Sequence, residues 1–141
     1  MSILSGPTPA IVLLPSLVTA LTVLLQMGVM MNVARARARY RVEPPATTGA
    51  PEFERAYRIQ VNTVEATLMF LPSLWMFGQY VSPLFAGALG LIWLAGRVAY
   101  AVGYQRAARH RTAGFVVSGI ALLLLAIGAA AGVLRAMFLI R

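Results

Sequence analysis

Cysteine and lysine are both missing from this chain of 141 residues, and histidine occurs once. Without cysteine there is no disulfide, no thiolate metal site and no cysteine nucleophile. A single histidine leaves no histidine cluster, so no metal site is expected. Charge is also scarce: 11% of residues are charged, against about 25% in an ordinary soluble domain. Acidic residues number four, at Glu43, Glu52, Glu54 and Glu65. What fills the space is apolar: 60% of the chain is hydrophobic, a balance that belongs to membrane proteins. The length allows one compact helical domain over residues 1–141, with no room for a soluble domain beside it.

The net charge of +8 rests on arginine alone. A basic chain can bind nucleic acid, but that requires a soluble basic face. Here most arginines end apolar runs, which points to anionic headgroups or an anionic ligand and away from nucleic acid. The N-terminus lacks the positive n-region of a cleaved signal, and the first apolar run is too long for an h-region, so it is expected to stay as a membrane helix.

Four helices are expected, at about 10–34, 52–80, 83–107 and 113–138. That is an all-α membrane protein, an up-and-down bundle of four transmembrane helices. The first apolar run is long enough to cross a hydrocarbon core of about 30 Å. Arg35, Arg37, Arg39 and Arg41 close it, reaching toward headgroups. Pro44-Pro45 and Thr47-Thr48-Gly49-Ala50-Pro51 read as loop. Pro51 and Glu52 suit the first turn of the second helix. Ser82-Pro83 leaves so short a turn that the second and third helices must be antiparallel neighbours. The fourth contains Gly128 to Gly132, a small-residue face suited to close helix contact. With four spans both termini share one side. Nine arginines lie in or beside the two loops of the other side. The positive-inside rule then puts those loops in the cytoplasm, here across a bacterial inner membrane.

Two polar stripes interrupt the apolar helices. Arg58, Asn62 and Glu65 are spaced i, i+4, i+7 on the second helix; Arg97, Tyr100, Tyr104 and Arg111 follow i, i+3, i+7, i+14 on the third. Together they suggest a polar pocket open to the basic side. Three readings fit. Glu65 and Arg97 could form a structural ion pair, since an intramembrane carboxylate is costly unless paired. Glu65 could be the proton site of a small transporter. Or the arginines and tyrosines could hold an anionic polar ligand in a membrane enzyme or binding protein. The third suits the composition best, because positive charge around the one deep acid would repel a cationic substrate and hold the carboxyl ionised.

The stretch Arg-Tyr-Arg-Val-x-Pro-Pro-x-Thr-Thr-Gly-x-Pro-Glu-Phe-Glu-Arg (39–55), followed by Tyr57-Arg58-x-Gln60-x-Asn62-x-x-Glu65, resembles the family of membrane-associated proteins in eicosanoid and glutathione metabolism. Arg97-x-x-Tyr100-x-x-Gly103-Tyr104, with Arg111 seven residues later, is similar to that family's third helix. The likeness covers roughly residues 20–115 and leans toward the branch of leukotriene C4 synthase and microsomal glutathione transferases 2 and 3. It implies a homotrimer that binds glutathione between neighbouring subunits and attacks a lipophilic electrophile or lipid hydroperoxide arriving from the membrane lipid. It assigns Arg58, Asn62, Glu65, Tyr100, Tyr104 and Arg111 to glutathione from one subunit and Arg37 and Gln60 from the next. Arg111 is the catalytic residue by this likeness, holding the thiol as thiolate. Two positions depart from the synthase pattern: Ala38 stands where it has a second arginine, and Ala66 where it has a tyrosine. A non-enzymatic lipid-binding scaffold within the same family is the runner-up.

Overall fold

The computed structural model describes residues 10–139. Its elements are α1 (Ala10–Tyr40), α2 (Pro51–Tyr80), α3 (Pro83–Arg106) and α4 (Thr112–Leu139), with one 3-10 turn at Ala108–Arg111 between α3 and α4. Helix α1 runs six residues beyond the expected end at 34. Alanine and arginine are both strong helix formers, so the alternating run continues the helix. It stops where Arg41 turns left-handed at φ 54°. The Val42 amide then donates back to the Arg37 carbonyl at 3.1 Å, a Schellman closure. Val42 caps the end by packing with Val33, Ala36, Phe53 and Ala56. Because the run is helical, its arginines do not form one row. Arg35 and Arg39, four apart, share a face, and Arg37 points elsewhere.

Helix α2 opens with Pro51, Glu52 and Glu54 in its first turn, where a missing amide and negative charge are both tolerated. It closes with the amides of Val81 and Ser82 on the Phe77 carbonyl. Ser82 caps α3, its hydroxyl accepting from the Phe85 amide at 3.4 Å, and Pro83 follows at the first helical position. The tight turn makes α2 and α3 antiparallel. They form the middle pair, with α1 packed on one side and α4 on the other.

Three of the helices are long and apolar enough to cross a membrane: α1, α3 and α4. The expectation of four such spans holds for three by this measure. Helix α2 falls short because its first half carries Glu52, Glu54, Arg55, Arg58, Gln60, Asn62 and Glu65. Its second half is apolar and supplies the centre of the bundle. There Phe70 stacks on Trp93 at 3.7 Å with planes 3° apart, between Leu74, Val18 and Leu125. Trp93 is fully buried; Trp75 is exposed. The outer surface is hydrocarbon, with Leu68 71% and Ile127 60% exposed, as lipid contact requires.

The Gly128–Gly132 face of α4 meets α2: a Cβ at Gly132 would lie 2.8 Å from a Val81 methyl. A tighter crossing lies elsewhere, between α3 and α4. A Cβ on Gly96 would come within 2.7 Å of the Ser118 amide nitrogen, and one on Gly114 would run into the Tyr100 nitrogen and the Gly96 carbonyl. Backbone cannot move aside as a side chain can. Gly114→Ala should therefore destabilise the bundle by about 1–3 kcal/mol through overpacking. Gly119→Ala, where nothing lies within 4 Å, should cost nothing, since alanine is the better helix former. Thermal unfolding of the two variants in one detergent decides it; equal melting temperatures would mean the crossing has slack.

Candidate functional site

Three of the expected site residues, Asn62, Tyr100 and Arg111, line one cavity of about 340 Å³ at the basic end together with Thr112 and Phe115, and a fourth, Tyr104, adjoins it through Arg111 and Tyr100. Three elements build it. Helix α2 supplies Asn62, whose side-chain amide donates to the Tyr100 hydroxyl at 2.8 Å. Helix α3 supplies Tyr100, itself 1% exposed, so that bond sets its ring in place. Tyr104, one turn on, meets Tyr100 edge-on at 5.6 Å between ring centres. The 3-10 turn supplies Arg111. Its guanidinium donates to the Tyr104 hydroxyl at 3.2 Å and stands 5.1 Å from the centre of that ring.

The 3-10 turn can hold Arg111 there because α3 is cut short. The Ala107 amide closes onto the Gly103 carbonyl at 3.1 Å, and the chain folds back over Gly103. A Cβ on Gly103 would strike the His110 carbonyl oxygen, so glycine at this position permits the fold-back. His110 itself is exposed.

Among the described residues Arg111 meets a neutral phenol, and no carboxylate lines the cavity, so its charge is not cancelled there. The pairing is favourable through the ring quadrupole as well as the hydrogen bond.

Arg58 and Glu65 lie on the exposed face of α2, one turn before and one turn after Asn62, but neither lines the cavity. Arg37 and Gln60 lie apart from it. The Arg37 guanidinium donates to the Val42 and Ala46 carbonyls at 3.3 and 2.9 Å and stands 4.9 Å from the centre of the Phe53 ring. It ties the 41–50 loop to the end of α1. Gln60 lines a groove of about 390 Å³ between α1 and α2, walled by Met27, Met30, Val64 and Leu68. The chain thus has a cationic cavity on its α2–α3–α4 side and a second, mostly apolar groove on its α1–α2 side.

The structure rules out the ion pair between Glu65 and Arg97. Among the described residues the recorded salt bridge is Arg55 to Glu52 at 3.2 Å. Glu65 is exposed, and Arg97 is 2% exposed. Arg97 is held by neutral groups. It donates to the Thr63 hydroxyl at 2.9 Å and stands 4.2 Å from the centre of the Tyr100 ring, while its Nε has no hydrogen-bond partner among the described residues. Thr63 also offers its carbonyl to the Gln26 amide at 3.1 Å. This Gln26–Thr63–Arg97 network escaped the sequence reading. The polar break at Gln26 was visible, but its partner lies 37 residues away. Phe115 and Thr112 of α4 were missed as well, since apolar and small residues at a helix start carry no chemical signal. Among the described residues no group of histidine, cysteine, aspartate or glutamate could hold a metal ion.

Comparison with known proteins fits this arrangement. Residues 15–131 match the sequence profile of the MAPEG family. An uncharacterized protein of Synechocystis is 47% identical over 120 residues, covering 85% of this chain and 88% of its own. Microsomal glutathione S-transferase 2 of Homo sapiens is 48% identical over 100 residues, covering 70% of this chain and 68% of its own. Leukotriene C4 synthase of Cavia porcellus is 47% identical over 117 residues, covering 83% and 78%. The match runs through all four helices and both stripes of polar residues: the chain belongs to the MAPEG family.

Proposed function

We propose that this protein is an integral membrane glutathione transferase that works as a homotrimer. The observation that carries the reading is the Arg111 guanidinium, held by Tyr104 at the wall of a cavity lined by no carboxylate among the described residues. An ordinary thiol titrates at about 8.5 and is mostly protonated at neutral pH. A cation beside it favours the anion, and the thiolate is the nucleophile. Its proton leaves to water. The sulfur then bonds to the electrophilic carbon of a lipophilic substrate, and the leaving group departs with the electron pair or, for an epoxide, stays as an alkoxide that takes a proton.

The rest of glutathione is two carboxylates and an ammonium. Arg58 suits a carboxylate through paired hydrogen bonds, Glu65 suits the ammonium, and Asn62, Tyr100 and Tyr104 offer neutral hydrogen bonds. Arg37 and Gln60 stand too far around the bundle to join this cavity from the same subunit. In the trimer they complete the site of a neighbour, which accounts for Arg58 and Glu65 being exposed on a single subunit. With Ala38 in place of a second arginine, no guanidinium stands at that position to protonate an epoxide oxygen. Aryl halides, other activated electrophiles and lipid hydroperoxides are the better candidates. With a hydroperoxide the thiolate takes the terminal oxygen, an alcohol leaves, and a second glutathione reduces the sulfenic acid to the disulfide. The basic loops face the cytoplasm, where glutathione is available.

Replacing Arg111 by alanine should raise the bound thiol toward its free value. The ultraviolet thiolate signal at neutral pH should fall, with a loss of conjugation rate of about tenfold for each pKa unit. The wild type should keep its rate to lower pH than the variant. Glutathione affinity by calorimetry should change less than the rate; equal loss of both would make Arg111 a binding residue only. Glu65→Gln should weaken glutathione binding by about tenfold, the worth of a charge-assisted hydrogen bond. Unchanged affinity together with failed trimer assembly would give Glu65 a role in assembly instead. No binding of glutathione by the wild type at millimolar concentration would leave the lipid-binding scaffold as the better reading.

A further inference from the structure

Away from the cavity just described, α1 and α3 enclose a groove of about 360 Å³ at the same basic end. Its upper wall is polar. Asn32 of α1 donates its amide to the Gln105 carbonyl oxygen at 3.1 Å, and Gln105 is pinned in turn by donating to the Glu52 backbone carbonyl at 3.3 Å. Arg106, in the last turn of α3, stands beside them, exposed and without an ion pair among the described residues. Arg35 lies on the same face of α1, one turn beyond Asn32, and is exposed too.

The lower wall is apolar. One turn down from Asn32 is Gly28, where a Cβ would meet nothing within 4 Å. One turn down from Arg106 is Val102, 48% exposed. A further turn down lie Leu24 and Val98, 61% and 45% exposed. At about 1.5 Å per residue, the two helices together form an apolar track about 12 Å long beneath a cationic mouth.

We propose that this groove binds one anionic glycerophospholipid, its phosphate at Arg106 and Arg35 and its acyl chain along Gly28 and Val102. Charge complementarity chooses the headgroup. The nearby acid, Glu52, is paired with Arg55 at 3.2 Å, while Arg106 and Arg35 have no ion pair among the described residues, so the mouth offers uncancelled cations to a headgroup. A zwitterionic lipid would bring a positive charge with no partner. The grading from cation to amide to hydrocarbon follows the order of groups along a lipid standing in the bilayer, and the lower half has no use for a small soluble anion. The proposal does not depend on glutathione chemistry.

Native mass spectrometry of the full-length protein, released from mixed micelles of phosphatidylglycerol and phosphatidylcholine, tests it. The wild type should retain phosphatidylglycerol in preference. Arg106→Gln should lower that preference about fivefold, the worth of one arginine near a lipid surface. Gly28→Leu should fill the track and abolish retention; the open space at Gly28 lets the helix keep its place, and circular dichroism checks that it does. Equal retention of both lipids by the wild type, or an unaltered Gly28→Leu, would overturn the proposal. Full displacement by soluble glycerol phosphate at equal concentration would overturn it in favour of a free-phosphate site. A changed oligomeric mass of Gly28→Leu would mean that a second copy covers the groove.

Discussion

Apart from Arg55, which pairs with Glu52, the guanidiniums that this structure holds in place are set against neutral partners. Arg111 faces the Tyr104 phenol, Arg97 the Thr63 hydroxyl and the Tyr100 ring, Arg37 two loop carbonyls and the Phe53 ring. A carboxylate would satisfy each guanidinium more completely, and would also cancel it. Low dielectric makes an uncancelled charge strong over several ångströms. The bundle keeps its few acids at the membrane surface or on an exposed helix face, so the basic end carries a field that any anion entering the cavity will meet. The partial satisfaction of Arg97, whose Nε has no partner among the described residues, is the other side of the same arrangement.

That field is useful only if the groups producing it stay put. The close approach of α3 and α4 at Gly96, Gly114 and Ser118 supplies the rigidity, because backbone touches backbone there. Tyr100 stands at this crossing, and Tyr104 and the 3-10 turn follow it along the chain. The stacked pair Phe70 and Trp93 fixes α2 against α3 deeper in the bundle. Asn62 therefore faces Tyr100 across helices whose relative position is set elsewhere. Geometry at the cavity is inherited from packing outside it.

Much of this was legible in the sequence because membrane helices announce themselves. Long apolar runs, Pro51 and Pro83 at helix starts, and the i, i+4, i+7 spacing of Arg58, Asn62 and Glu65 reflect local rules. On α3 the same periodicity put Tyr100 and Tyr104 on one face, whereas Arg111, expected on that helix, comes to them from the 3-10 turn beyond its end. What could not be read was which polar groups satisfy one another across helices. Glu65 and Arg97 looked like partners by charge. The bundle instead turns Arg97 inward to Thr63 and Glu65 outward. The end of α1 was set six residues early because the arginines read as closing the helix; alanine and arginine both favour helix, and the burial of Val42 fixes the stop after Tyr40. Phe115 carries no chemical label, so only the fold could bring it to the cavity wall.

The helical course of α1 through its arginines makes their angular phase a property of the whole helix. Each residue advances the direction of a side chain by about 100°. One residue inserted between Gly28 and Arg35 would leave the composition and the length of the span almost unchanged. It would nevertheless carry Arg37 off its loop carbonyls and turn Arg35 and Arg39 toward different neighbours. The 41–50 loop is held instead by point contacts, at Val42, Ala46 and Gly49, so a change of length is local there, whereas in the helix a few residues earlier it turns everything that follows.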